Sequence, residues 1–337
     1  MTLPAVLFRK PDIVQRRWAQ IFWSCVTVAV LAGCDPSLTG DAPAGIKPQA
    51  RPDRPPAAKP MPEPPTPSNA AIELERYYAR VEEDLLARGL LRTDGGGVDT
   101  PFTEAMLARN FERIALAEEY TRGAGLQPSS GALGEIKKWT IPVRIGVTFG
   151  TSVSEADRAT DTKTLASYTR RLARVSGHPI AFVSTNPNFH VLVMGEDDKD
   201  ELRQTLNQIA PGMEPSSRAI FANLPRSIHC LVVAFADSST GNDYRQAVAL
   251  VRAEHPPLTR KACFHEELAQ GLGLANDDQN ARPSIFNDDE EFALLTTHDE
   301  MLLKILYDPR LTPGMTAIQA RPIIRRLALE ATGGGSS

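Results

Sequence analysis

Between Pro36 and Pro67 the chain carries 11 of its 27 prolines, interleaved with Ala, Lys and Asp and without any apolar period. Proline fixes φ and has no main-chain N–H to donate, so such a stretch favours extended polyproline conformations and builds no core. Whatever folds must therefore lie after it, in a length that suits one domain or two. The chain as a whole has 42% hydrophobic and 23% charged residues, a globular balance far from that of a disordered chain. The proline-rich part, within residues 34–69, reads as a tether.

Ahead of the tether, Arg9, Lys10, Arg16 and Arg17 precede an apolar run from Ile21 to Ala32 that is short for a membrane span. This is the pattern of an export signal. It ends in Leu31-Ala32-Gly33-Cys34, which resembles the lipobox of bacterial lipoproteins. The resemblance implies removal of residues 1–33, lipidation of Cys34 and a membrane partner held through that residue. Asp35 directs the expectation to the inner membrane, with the domain facing the periplasm. A signal-anchor helix with an incidental cysteine is the alternative. Cleavage would remove four basic residues and one acidic residue, taking the net charge from −4 to −7. No basic surplus supports nucleic-acid binding.

Of four cysteines, Cys25 leaves with the signal and Cys34 becomes the anchor, so Cys230 and Cys263 remain as a pair in an oxidising compartment. A disulfide between them is expected, against the alternative of two buried thiols.

Leu74, Tyr78, Val81 and Leu85 recur at helical spacing before Gly89. Thr100-Pro101 offers a second helix start, and Phe102, Met106, Phe111 and Ile114 give its stripe up to about Tyr120. These make a helical segment over 70–130. From 137 to 328 the period changes. Ile141 to Phe149 alternates as a strand, a helix is expected over Asp161–Val175, and Phe189–Met194 and Cys230–Phe235 read as strands, the latter buried on both faces. Gln246–Ala253 is the candidate edge strand, with a helix as its alternative. A helix begins near Phe264, another covers Met301–Leu306, and residues 329–337 form a tail. The fold class is α+β with a mixed sheet.

The chemistry-bearing stretch runs from Cys263 to Asp278. His265-Glu266 suggests the HExxH helix of zinc peptidases, but the second histidine position holds Ala269. One residue later the pattern is EExxQxxGxxN: Glu266, Gln270 and Asn276 take the three ligand positions, Glu267 the base position and Gly273 the glycine position. Residues 266 and 270 share a helix face, and only a residue free to adopt positive φ can end the helix and bring 276 back toward it. In this register the sequence resembles a degenerate metzincin, a zincin with motif HExxHxxGxxH and a methionine turn. Ser284-Ile285-Phe286 resembles that turn, with Phe286 at the methionine position as an apolar floor. The segments Leu107–Phe111, Glu266–Asp277, Ser284–Asp288 and Tyr307–Met315 further resemble an uncharacterised bacterial lipoprotein family known only as a domain of unknown function. That likeness runs from about residue 72 to about residue 322 and implies a zincin-like (metzincin-like) fold without an established activity.

The departures limit what carries over. Carboxamide oxygens are poor zinc ligands, so a site of Glu266, Gln270 and Asn276 should hold no metal or a weakly bound divalent ion, zinc if the protein is active. Each residue also has a structural reading: Glu266 and Glu267 as first-turn acids, Gln270 as a packed side chain, Asn276 as a turn residue, His298 as a capping or hydrogen-bonded residue. Asp277, Asp278 and the acids from Asp288 to Glu291 read as a solvated loop. The leading functional expectation is a catalytically impaired envelope protein that binds peptide or protein. The alternatives are an active metal-dependent peptidase with Glu267 as base, and a structural envelope component.

Overall fold

The computed structural model describes residues 66–117, 129–237, 241–287 and 289–333. The signal, Cys34 and the tether up to residue 65 lie outside these residues, as does Asp288.

Helix α1 (Asn69–Ala87) turns Ala71 and Tyr78 inward, with Ser68 accepting from the Ala71 amide as its N-cap. Helix α2 (Glu104–Leu116) starts three residues after the expected proline, because the side chain of Thr103 accepts from the Met106 amide and sets the cap there. It buries Leu107, Phe111 and Ile114 completely in the main core. After strand β1 (Lys138–Trp139) comes β2 (Val143–Phe149). Helix α3 (Glu155–Ser176) begins six residues before the expected start, capped by Ser154, and stops at Gly177 with φ 69°. Strands β3 (Ile180–Phe182) and β4 (Phe189–Met194) follow. Helices α4 (Lys199–Ile209) and α5 (Pro215–Ala222), which the sequence reading does not include, precede β5 (Cys230–Ala236) and β6 (Asp243–Arg252). The chain closes with α6 (Pro257–Gly271), α7 (Thr297–Leu306) and α8 (Ala317–Ala331).

The strands form one sheet that is parallel except for β5. From β3 the order runs to β2, β4 and β6, with β1 beside the start of β6 and β5 antiparallel on β6. The expected edge strand Gln246–Ala253 is therefore an interior strand: β6 is flanked by β4 and β5, and β5 is the edge. The reason is visible in the residues. Val248, Leu250 and Val251 bury both faces of β6, as an interior parallel strand must.

Alternation then sorts the strands between two cores. Phe189, Val191, Val193, Ala247, Ala249 and Val251 face the helices α2, α3, α6, α7 and α8, joined by Val232 and Ala234 of β5. Leu192, Met194, Leu231, Val233, Phe235, Val248 and Leu250 face α4 and α5. The registers Val232↔Ala249 and Leu231↔Leu250 keep these sets on their own sides. Among the described residues the architecture is α+β, with eight α-helices around a mostly parallel sheet. No helix among the described residues is long and apolar enough to cross a membrane.

The expected disulfide is present. Cys230, at the start of β5, is bonded to Cys263 of α6, with a Cα–Cα distance of 5.9 Å. Closing a loop of sequence separation 33 is worth about 3–4 kcal/mol on the chain-entropy scale. Reduction should lower the unfolding free energy by about that amount without loss of secondary structure. Urea titrations with and without reductant check this, and equal midpoints would contradict it.

Candidate functional site

Helix α6 is fixed at both ends before any of its polar residues acts. It opens on Pro256-Pro257, and its first turn has no local side-chain cap. Glu82 of α1 supplies one from a distance, its Oε2 accepting from the Thr259 amide at 2.8 Å and from the Thr259 hydroxyl at 2.7 Å. A carboxylate suits this position, where unsatisfied N–H groups and the helix dipole favour negative charge. One turn on, buried Arg260 pairs with Asp157 and Asp161 of α3 at 2.7 and 3.0 Å. The helix thus starts at 257, seven residues ahead of the expected start at Phe264.

At the other end Gly271 lies against the sheet, where a Cβ would meet the Phe189 ring at 2.4 Å. The Trp139 indole donates to the Gly271 carbonyl at 2.8 Å, and the Tyr307 hydroxyl donates to the Leu272 carbonyl at the same distance. Gly273 then takes φ +123°, and a Cβ there would strike the Lys137 carbonyl oxygen at 2.5 Å. This is the glycine turn expected from the sequence. The Tyr307–Met315 stretch supports it from outside: Tyr307 holds the helix end, and just before β1 the Ile136 amide donates to the Met315 carbonyl while the Gly314 amide donates to the Ile136 carbonyl.

Past that turn, each candidate residue has a definite place. Glu266 is half-buried and Glu267 is buried. Gln270, one turn beyond Glu266, donates from Nε2 toward Asp277 Oδ1 at 3.4 Å. Asn276 donates from Nδ2 to the carbonyls of Arg113 at 3.0 Å and Asp277 at 2.7 Å, while its amide donates to the Ile114 carbonyl. Its side chain and its main-chain amide therefore cap one last-turn carbonyl of α2 each, those of Arg113 and Ile114. The residue that joins Glu266 and Gln270 is Asp277: it bonds Gln270 and, with Glu266, Asn287 and Glu290, lines a cavity of about 50 Å³. The doubled Asp277-Asp278 was the available signal, and its reading as a solvated loop misses Asp277.

The turn at 284–286 is built on a buried carboxylate. Asp299 Oδ1 accepts from the Ser284 hydroxyl at 2.6 Å, and Oδ2 accepts from the Ile285 amide at 3.1 Å and the Thr296 amide at 3.0 Å. Asp299 is the third residue of α7 and completes a capping box with Thr296, so one side chain serves both the helix start and the turn. Phe286 is fully buried, and its carbonyl accepts from the Asp278 amide at 2.9 Å, which brings the turn beside 276–278. His298 is hydrogen-bonded, its Nε2 lying 3.1 Å from Asn110 Nδ2.

His265 points away from the cavity. It stacks on Tyr168 with ring centroids 3.9 Å apart, and its Nδ1 accepts from the Leu295 amide at 3.0 Å. Burial pushes the His265 and His255 imidazoles down to about 3, and it lowers His178, His190 and His229 as well. Glu254 and Asp161 move the other way, raised by burial.

A cover lies over the same region. Leu91 and Arg92 donate main-chain bonds to the carbonyls of Glu290 and Glu291, and the Ala293 amide donates back to Arg92, a short parallel bridge. Leu85 and Leu91 pack there on Leu258, Ala262, Ala293 and Leu294.

Comparison with protein families matches residues 104–326, about two thirds of the chain, to the family described as "Protein of unknown function (DUF2927)". The chain belongs to that family. No curated protein and no solved structure matches it.

Replacing Asp299 with Ala strips the acceptor from two buried main-chain amides and should cost about 3 kcal/mol or more. Asp299→Asn, which keeps one acceptor oxygen, should cost less. Chemical denaturation measures both, and a loss within 0.5 kcal/mol, the size of a typical surface substitution, would show that the carboxylate is dispensable. A second expectation concerns pH. His255 and His265, pushed down to about 3, stay neutral when folded and protonate when unfolded, so unfolding takes up protons as pH falls below 6.5. Stability should drop between pH 6.5 and 5, before the ordinary carboxylate range is reached. A flat urea midpoint across that interval would contradict the buried neutral imidazoles.

Proposed function

We propose that this member of the family is an envelope-anchored, non-hydrolytic binding module, zincin-like in architecture, that holds an extended peptide or protein segment along the outer edge of β5. The observation that carries the reading is β5 itself. Its inner edge pairs with β6 and its two faces meet α6 on one side and α4 and α5 on the other, while among the described residues its outer edge carries no strand. Such an edge is a template for strand addition, in which main-chain groups give affinity and side-chain pockets give selectivity. The single antiparallel edge strand, the site helix ended by Gly273 and the buried turn at Phe286 support the metzincin likeness.

The donor set does not suit zinc. Glu266 offers one carboxylate, but Gln270 and Asn276 offer only neutral carboxamide oxygens, which bind zinc poorly. The cavity beside Glu266, at about 50 Å³, has room for a few waters. No hydrolytic step is derived from it. The envelope location rests on the signal pattern and Cys34, which would place the domain on the outer face of the inner membrane.

Peptides selected from a displayed library should bind and protect alternate amides within 230–236 from hydrogen exchange, the signature of one added strand. Protein purified without chelator should bind them equally before and after treatment with a zinc chelator. Protection confined to other elements would contradict the edge reading. Stoichiometric zinc lost on Glu266→Ala, together with cleavage of the peptide, would establish the metallopeptidase instead.

A further inference from the structure

Away from β5 and α6, a surface groove of about 580 Å³ runs between α2 and α8. We infer that it docks the headgroups of anionic phospholipids, giving the domain a membrane contact of its own. The inference does not depend on the peptide-binding reading.

The groove combines three features. Its floor is Ala105 and Ala108, which leave the space between the helices open. Its walls carry Arg109 from α2 and Arg321 and Arg325 from α8 against Glu104 and Glu112. Glu112 is spent on Arg321, taking Nε at 3.0 Å and Nη2 at 2.8 Å, an arrangement that also fixes the direction of that guanidinium. Arg109 and Arg325 are exposed and make no ion pair or hydrogen bond among the described residues. In a chain of net charge −4, two uncommitted guanidinium groups facing one uncommitted carboxylate form a local positive site.

The third feature selects the occupant. Ile318 is 81% exposed, one of three large hydrophobics so placed among the described residues. Helical spacing sets it on the same face of α8 as Arg321, Pro322 and Arg325. Guanidinium groups match phosphate oxygens in geometry and charge. A free phosphate ion would use the arginines but has nothing to place on an aliphatic side chain. A lipid surface uses both, with phosphate at the arginines and glycerol and upper acyl carbons at Ile318, the pairing of basic and apolar groups found on interfacial helices.

The test is sedimentation of the full chain with phosphatidylglycerol-containing vesicles and with pure phosphatidylcholine vesicles. Arg109→Glu/Arg325→Glu should weaken binding to the anionic vesicles at least about tenfold and leave the neutral ones unchanged, since each basic residue at such a surface contributes on the order of 1 kcal/mol. Ile318→Asp should weaken it as well. Lys199→Glu/Arg203→Glu, the same charge reversal on α4 across the sheet, should have a smaller effect. The three variants change exposed groups apart from Lys199, which is half-buried and paired with Glu196, and unaltered thermal unfolding confirms their folding. Equal binding by wild type and Arg109→Glu/Arg325→Glu would overturn the proposal, as would an equal loss from the α4 variant. Inorganic phosphate that binds wild type but not Arg109→Glu/Arg325→Glu, with vesicle binding unchanged, would assign the groove to free phosphate and overturn it too.

Discussion

Asp299 holds together the parts of this molecule that sequence alone leaves apart. Its two oxygens take the Ile285 and Thr296 amides and the Ser284 hydroxyl, so the turn at 284–286 and the first turn of α7 are solved by one carboxylate. In a buried setting each of those donors would cost more unpaired than it gains when paired. From this point the neighbours follow. Phe286 fixes the Asp278 amide, Asp277 reaches Gln270, and Leu295 fixes His265 in its stack with Tyr168. The cavity beside Glu266 is a consequence of that arrangement.

Much of the frame was legible because it rests on short-range rules. The strand reading of Phe189–Met194 matches β4, Gly273 announced the positive φ that ends the site helix, and two remaining cysteines implied their own pairing. What failed needed partners distant in sequence. The start of α6 was hidden because its cap, Glu82, lies on another helix. The rank of β6 was missed because an alanine-rich strand looks weakly alternating until β4 and β5 flank it. Helices α4 and α5 are short, and their faces are defined by Leu202, Leu206 and Phe221 meeting the second core.

The site shows the same division. The spacing of Glu266 and Gln270 on one face is a property of the helix and could be read directly. Which residue returns to join them depends on the path after Gly273, and there the main chain gives Asn276 to the end of α2 and Asp277 to Gln270. Histidine 265, adjacent to the motif, is drawn to the opposite side by Tyr168, a contact across 97 residues. The helix is firmly held by its protein neighbours, and the motif carries carboxamides at two of the positions where a metal centre would want imidazoles.

The central claim, that a single buried carboxylate organises this region, predicts a specific pattern of hydrogen exchange in the native state. The Ile285 and Thr296 amides should exchange only through global unfolding, with free energies equal to those of the β4 and β6 core and the same dependence on denaturant. Exchange of either amide through a local opening several kcal/mol cheaper than global unfolding, while β4 and β6 stay protected, would contradict it.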